Sequence, residues 1–517
     1  MRSLILVFLL SGILFISCKQ EQKEYPPFIE DTAQLRDAAL KPFYHGVASG
    51  DPRYDQVIIW TRVTPETQLP RIDVNWEVAT DSTFKNIVNN GDYRTSPKKD
   101  YTVKADVIGL EPGTTYYYRF MALDAVSPIG TTRTASKDSK KLKFGVVSCS
   151  NYEWGYFNAY KHLAEEKDIQ AVLHLGDYIY EYGPGTYGDT TLGRINIPQH
   201  EILSLQDYRD RYSQYHLDKD LQAVHAKHPF INIWDDHEIS NNSYSTGAEN
   251  HQENEGDYQT RRDIAKQVFY EWLPIRLNAN HFRAFDFGEL AEVVMLDERL
   301  AGRTAPADSI TDPLLKEKDH LLLGDIQYEW MANKLVTAQA TWKVIGNQVI
   351  YSYLDWGYPS FHINLDSWDG YPIEQQKLAD LIRDQNIKNV VFVTGDTHSG
   401  WAFEATNNPF ENYDPESGKG AFAVEFGVTS INSANSDERT ATDSVRMHEK
   451  ELVNSAIDPH LKYANLRDHG YLILTLTDSL ARADYKVVNT VKQKNSKVRI
   501  DTSLIVKKGS IHLRPAN

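Results

Sequence analysis

The chain has 517 residues, 41% of them apolar and 24% charged, ordinary globular proportions that leave room for more than one core, and two folded domains are expected. Lysine and arginine number 55 against 71 acidic residues, a formal charge of −16, which excludes broad, sequence-independent binding to nucleic-acid phosphates. A local basic pocket stays open.

Arg2 supplies the positive flank of an export signal, and Leu4 to Ile16 form an apolar run broken only by Ser11 and Gly12. That run is too short for an ordinary membrane span. It ends at Ser17-Cys18, after which Lys19 to Glu24 turn abruptly polar. The junction resembles a bacterial lipoprotein signal, with Phe15 and Ile16 standing where that pattern has leucine and a small residue. The resemblance implies a signal peptide over residues 1–18, lipidation at Cys18 and an exported protein, periplasmic or at the cell surface, held to the membrane by its lipid alone; simple cleavage and secretion is the alternative, and the apolar core length favours export either way. Residues 19–40, polar and carrying Pro26-Pro27, suit a tether. The other cysteine is Cys149, so a lipidated Cys18 leaves no intramolecular disulfide. A lone thiol is either buried and inert or a thiolate protected as a metal ligand.

Strand-like runs follow at Val57–Val63, Val74–Thr80, Thr102–Ile108 and Tyr116–Ala122, a spacing that predicts a β-sandwich over residues 41–138. The run from Gly109 to Tyr118, a turn leading into tyrosines, resembles the loop-and-strand signature of fibronectin type III domains. Ala135 to Lys141 is small and polar, a linker. Beyond it, buried-strand runs at Phe144–Val147, Ala171–Leu175, Phe230–Trp234, Glu292–Leu296, Val344–Ile345 and Val390–Thr394 alternate with helix-period stretches such as Tyr156–Glu166 and Ile326–Val336. That alternation predicts an α/β layered domain over residues 139–517.

Four of these strands end in metal-competent side chains: Ser148-Cys149-Ser150-Asn151, Gly176-Asp177-Tyr178-Ile179-Tyr180-Glu181, Asp235-Asp236-His237-Glu238 with Asn241-Asn242, and Gly395-Asp396-Thr397-His398. The carboxyl edge of an open α/β sheet is where ligands bind, so four distant segments can meet in one pocket. Singly, an Asp after Gly at a strand end is commonly a turn or cap. Together they are much stronger, because contiguous charges such as Asp235-Asp236-His237 beside a core are costly unless a cation or hydrogen bonds compensate them.

The four blocks, in this order, resemble those of the calcineurin-like metallophosphoesterase superfamily, D-x-H, G-D-x-x-D, G-N-H-E and G-H-x-H. Their alterations here resemble one branch, the PhoD-type alkaline phosphatases. Further similar stretches are His45 to Pro52, Leu296-Asp297-Glu298-Arg299, Leu323 to Gln327, Gly346-Asn347-Gln348 and Asp366 to Tyr371, so the resemblance covers essentially everything from residue 41 onward. It implies a fibronectin III-like N-terminal sandwich followed by a four-layer α/β/β/α catalytic domain, with phosphate esters as substrates. It further implies Fe³⁺ held by Cys149, Asp177, Tyr180 and His398, with Asp177 bridging to a second ion, usually calcium in that branch, whose shell is completed by Asp396 and by Asp236 or Asn241. A phenolate ligand needs a strongly acidic metal, which favours Fe³⁺, and an all-oxygen shell suits Ca²⁺ or Mn²⁺ better than zinc. Paired cations of this kind act as Lewis acids on phosphate oxygens and activate water in line with the leaving alkoxide. His237 either stabilises charge or protonates the leaving group, or only orients Asp236.

Other residues take simpler expectations. His174 is read as a core histidine, and His225 and His228 as helix-end or surface groups. Arg194, Arg209, Arg211, Arg261 and Arg262 are read as a solvated helix face rather than phosphate contacts. Trp356, Asn364 and Trp368 sit in a loop long enough to wall or cover a pocket. Three functions follow: hydrolysis of phosphate monoesters and diesters, diesters alone, or a surface-binding lipoprotein with a vestigial metal site.

Overall fold

A computed structural model of the chain describes residues 25–278 and 280–516; the expected signal peptide and Cys18 lie outside them. The fold is mixed α/β with several sheets. In the largest, of ten strands, Lys141–Val147, Ala171–His174, Pro229–Asn232 and Val47–Gly50 run parallel side by side. Gln56–Arg62 and Thr102–Ile108 extend it antiparallel on one flank, and His469–Thr477 opens a run of antiparallel strands on the other. A second sheet of seven strands has Ala291–Met295, Trp342–Asn347, Val390–Thr394 and Ala423–Gly427 parallel at its centre.

The two-residue period of these strands sorts their side chains into separate cores. Phe144, Val146, Leu173 and Ile231 share one buried cluster with Val293, Met295, Val344, Val391 and Val393, joining the inner faces of the two sheets. The intervening Val147, Val172 and Phe230 pack instead with Tyr160 of the helix Asn158–Glu165, Tyr212 of Leu205–His216 and Val224 of Lys219–Lys227. On the second sheet Val294, Ile345 and Phe392 meet Met331 and Leu335 of Asp325–Thr337 and Leu378 and Ile382 of Pro372–Asp384.

Segment 41–138 contributes to two sheets. Ile72–Ala79, Ile87–Thr95, Thr115–Ala122, Ala125–Val126 and Gly130–Arg133 form one of five strands, whereas Val47–Gly50, Gln56–Arg62 and Thr102–Ile108 belong to the ten-stranded sheet. Val57, Ile59, Val103 and Val107 pack between the two against Val74, Val78, Tyr116 and Phe120. The register Ser49↔Pro229 therefore hydrogen-bonds this segment to the strands that carry the candidate site. Residues 25–40, expected as a tether, are built into the fold. Glu30 is buried and accepts from Arg36 and Arg62, and the Thr32 hydroxyl lies 2.8 Å from that of Ser213. A polar segment reads as linker in sequence, but here its carboxylate pairs a fully buried arginine.

His174 lies in the core as expected, 2.9 Å from the Tyr160 hydroxyl. His225 was expected at a helix end or surface; it is in the last turn of its helix but buried, 2.8 Å from the Tyr178 hydroxyl. Burial holds both imidazoles neutral, with pKa values lowered to about 3. Unfolding returns them to about 6.5, so the unfolded chain binds more protons between these limits and stability is full above about pH 6.5. It should fall as pH drops, by up to about 1.4 kcal/mol per unit for each histidine. Urea melts between pH 7.5 and 5 check this, and a flat profile would contradict it.

Candidate metal centre

Cys149, Asp177 and Asp236 follow three adjacent parallel strands of the ten-stranded sheet, whereas Asp396 and His398 follow Val390–Thr394 of the other sheet. The site thus forms where the carboxyl ends of two stacked sheets meet, not along one sheet edge. Cys149, Asp177, Asp396 and His398 all have positive φ, between 54° and 64°. This left-handed backbone is uncommon for side-chain-bearing residues, costs about 1–2 kcal/mol each, and concentrates at functional sites. At Gly176, φ is 107°, and an added Cβ would lie 2.3 Å from that of Asp235. Only glycine lets the two acidic loops approach so closely.

On one side of the site, ligand-type atoms of Cys149, Asp177 and His398 all lie within 4.8 Å of one another. The Tyr180 hydroxyl stands 3.0 Å from Asp177 Oδ2 and 3.0 Å from His398 Nε2. His398 Nδ1 is 2.6 Å from the Ala434 carbonyl, so it carries the proton and leaves Nε2 with its lone pair toward the cluster. Burial pushes the Cys149 thiol and the Tyr180 phenol well above their ordinary values, the nearby Asp177 carboxylate adding to both. Thiolate and phenolate therefore form here only where a cation displaces their protons.

On the other side, Asp177 groups with Asp236 and His237, and Asp236 with Asp235 and Asp396. Asp177 belongs to both sides. Its Oδ1 and Asp235 Oδ2 are buried acceptors without a hydrogen-bond partner, each an orphan costing about 1–3 kcal/mol unless something satisfies it. A donor set of sulfur, phenol, imidazole and carboxylates with unsatisfied oxygens fits metal cations.

Sequence reasoning missed the groups that hold this set together. Arg299 is fully buried and reaches Asp235, Asp366 (2.6 Å), Asp396 (3.0 Å) and Asp236 (3.6 Å). Glu238 accepts from the backbone N–H groups of Asp177 (3.1 Å), Tyr178 and Asp235 (2.8 Å), clamping the two acidic loops. The Ser433 hydroxyl donates to the Cys149 carbonyl and lies 2.8 Å from the Tyr180 hydroxyl as well. Leu296 to Arg299 was a visible motif, but no local pattern says that its arginine spans four carboxylates.

His237 Nδ1 lies 2.7 Å from Glu181, a fully buried carboxylate that also accepts from the Asn241 backbone and the Asn250 amide. Burial opposes charge on His237, but Glu181, Asp236 and Asp177 outweigh it and raise the imidazole well above its ordinary value. With Nδ1 against Glu181, His237 stands beside the cluster, where it can face an anion or exchange a proton.

Asn241 is engaged elsewhere, its backbone N–H on Glu181 (2.7 Å) and its amide 3.3 Å from Glu249. The solvated-face reading of the arginines is wrong for Arg209, Arg211 and Arg261, which are buried. Arg211 donates to the carbonyls of Tyr180 and Tyr182, fixing the ligand loop from behind. Arg209 pairs Glu271 and Arg261 pairs Glu201. Trp368 is core, its indole N–H 3.0 Å from Glu298, whereas Asn364 lines a cleft beside the cluster.

The chain matches the family model "PhoD-like phosphatase" over residues 144–485 and "PhoD-like phosphatase, N-terminal domain" over residues 30–136. It is 36% identical over 501 residues to "Alkaline phosphatase D" of Bacillus subtilis (strain 168), covering 92% of this chain and 82% of that protein. A solved structure titled "Structure of PhoD" superposes with a TM-score of 0.81 at 33% identity, covering 93% of each chain.

Proposed function

Because the chain belongs to the PhoD-like phosphatase family and is a phosphoric ester hydrolase, we propose that it cleaves phosphate monoesters and diesters at a two-cation centre sharing Asp177. The observation that carries this reading is the membership of Asp177 in two ligand groups, one with Cys149 and His398, the other with Asp236 and His237. Cys149, Tyr180, His398 and Asp177 would hold Fe³⁺; Asp177, Asp236 and Asp396 would hold a harder divalent ion, Ca²⁺ by preference for all-oxygen ligands. Asn241 joins that second shell only if its side chain turns from Glu249. Bound cations supply Lewis acidity toward phosphate oxygens and lower the pKa of water for attack on phosphorus.

The remaining work falls to the chain. His398 is kept neutral by its own desolvation, and the Ala434 carbonyl fixes which nitrogen donates. His237, oriented by Glu181, would face the phosphate or protonate the leaving oxygen. Arg299 keeps the acidic groups at close quarters without repulsion driving them apart. The three alternating buried clusters support a four-layer α/β/β/α domain, and the packing of Val57 and Val103 against Val74 and Phe120 supports a fibronectin III-like sandwich. The signal-like run Leu4–Ile16 and Cys18 support an exported lipoprotein, which mass analysis of the mature N-terminus tests.

The purified enzyme should release nitrophenol from nitrophenyl phosphate and from the bis-nitrophenyl diester; activity on the diester alone would select the narrower phosphodiesterase reading. It should also be coloured, through charge transfer from Tyr180 and Cys149 to Fe³⁺, and Tyr180→Phe should weaken or shift that band. A colourless, iron-free and fully active enzyme would refute the iron assignment. Binding without any turnover would select the vestigial-site reading, which the gathered ligand set opposes.

A further inference from the structure

A cleft of about 890 Å³ opens beside the candidate centre. Its inner end is one hydrogen bond from the acidic cluster. The Asn242 backbone N–H donates to Asp236 Oδ2 at 2.6 Å, and Asp366 takes Arg299 Nη1 at 2.6 Å while the same guanidinium reaches Asp396. The walls come from three separate stretches, 242–249, 305–310 and 359–366. They carry exposed apolar side chains, Ile310 at 63% and Phe361 at 42% relative exposure, facing one space rather than scattered. Glu249, Asp308 and Asp366 are the carboxylates among the described residues of the lining, which include no lysine or arginine; its one histidine, His362, is 3.0 Å from the Asp355 carboxylate. Arg299 and Arg303 neutralise Asp366 from behind, whereas Glu249 accepts from the neutral amides of Asn241 and Asn242.

A phosphate ester seated at the cations has its charge balanced there. Whatever extends beyond the phosphate meets apolar walls under a negative field. Burying an apolar body against Ile310 and Phe361 removes apolar surface from water and is favourable. A second anionic group is repelled by Glu249 and Asp308, the more strongly the less water lies between.

We propose that this cleft is the alcohol subsite and selects phosphate esters whose alcohol is bulky, apolar-bodied and free of negative charge, with Ile310, Phe361, Asp308 and Glu249 as the specificity-determining residues. The proposal rests on the phosphoesterase reading and names the substrate class of that same site. Polyanionic esters are the class it disfavours.

The test compares 1-naphthyl phosphate with a naphthyl phosphate bearing a ring sulfonate, using the full chain with its native metals. Phenyl phosphate or its methyl diester, whichever turns over, serves as the small reference that does not reach the rim. The unmodified enzyme should favour the uncharged naphthyl ester by about tenfold or more in kcat/KM, the scale of one or two partly screened charges. The double variant Asp308→Lys, Ile310→Lys changes two exposed positions and should close or invert that gap while reference turnover holds. Phe361→Ala should raise KM for the naphthyl ester with kcat kept. Equal rates on both naphthyl esters, or a ratio indifferent to the lysines with reference turnover intact, would overturn the subsite alone. No turnover of either reference ester would overturn the phosphoesterase reading itself.

Discussion

Replacing Asp177 by alanine should lower phosphate-ester turnover by at least ~10³-fold, the order of loss when charge stabilisation is removed from a reacting phosphate. The expected loss is this large because one carboxylate belongs to both candidate ligand groups, so in the proposed centre its removal would weaken two ion sites together. Metal analysis of the variant should show less than the full complement of both ions. The fold should survive, since Glu238 is held by the backbone N–H of residue 177 rather than by its side chain. Alanine at φ 54° adds a cost of about 1–2 kcal/mol, so Asp177→Asn is the cleaner partner, because asparagine tolerates the left-handed region and keeps the shape. Both variants should be inactive with circular dichroism unchanged. Turnover retained with normal metal content would remove Asp177 from the role of shared ligand.

The second large effect belongs to Arg299. Arg299→Met leaves Asp235, Asp236 and Asp396 close together without their cation, while Asp366 keeps Arg303, and breaking a buried ion network from one side costs about 3–5 kcal/mol. The cost should depend on metal: chelated protein should melt far below its unmodified counterpart, and added divalent ion should recover part of the difference by screening Asp236 and Asp396. Affinity for that ion should change by about 10–100-fold, the scale of groups that orient ligands without binding metal. Arg299→Lys should not restore the unmodified behaviour, because one ammonium cannot span four carboxylates. Equal melting of the chelated Arg299→Met and unmodified proteins would show that the arginine does not hold the acidic loops.

Much of the site is legible in sequence because each ligand block follows a short apolar run, and strand ends are where a parallel sheet presents side chains. Cys149, Asp177, Tyr180, Asp236, Asp396 and His398 announce themselves this way. Glu181 and Glu238 stand in the same blocks, but nothing in the pattern says that one orients His237 and the other clamps backbone N–H groups, and Ser433 and the Ala434 carbonyl carry no mark at all. Most strand positions were readable within a residue or two: Thr102–Ile108 and Val390–Thr394 coincide with their apolar runs, whereas Lys141–Val147 begins three residues before its run. Which strands share a sheet was not, because Val47–Gly50 pairs with Pro229–Asn232 across nearly two hundred intervening positions. The helices Leu205–His216 and Tyr258–Trp272 read as presenting a solvated face because buried Arg209, Arg211 and Arg261 interrupt their apolar stripe. Burial of those arginines depends on acceptors contributed from elsewhere, Glu271, the Tyr180 carbonyl and Glu201.

Anomalous diffraction from crystals of the purified protein, collected on both sides of the iron edge, bears most directly on a shared two-cation centre. Two ions should flank the Asp177 carboxylate, with the edge-dependent signal on the side of Cys149, Tyr180 and His398 and a lighter ion toward Asp236 and Asp396. An active crystal form with no ion in reach of Asp177, or with iron absent from the Cys149 and Tyr180 side, would contradict it.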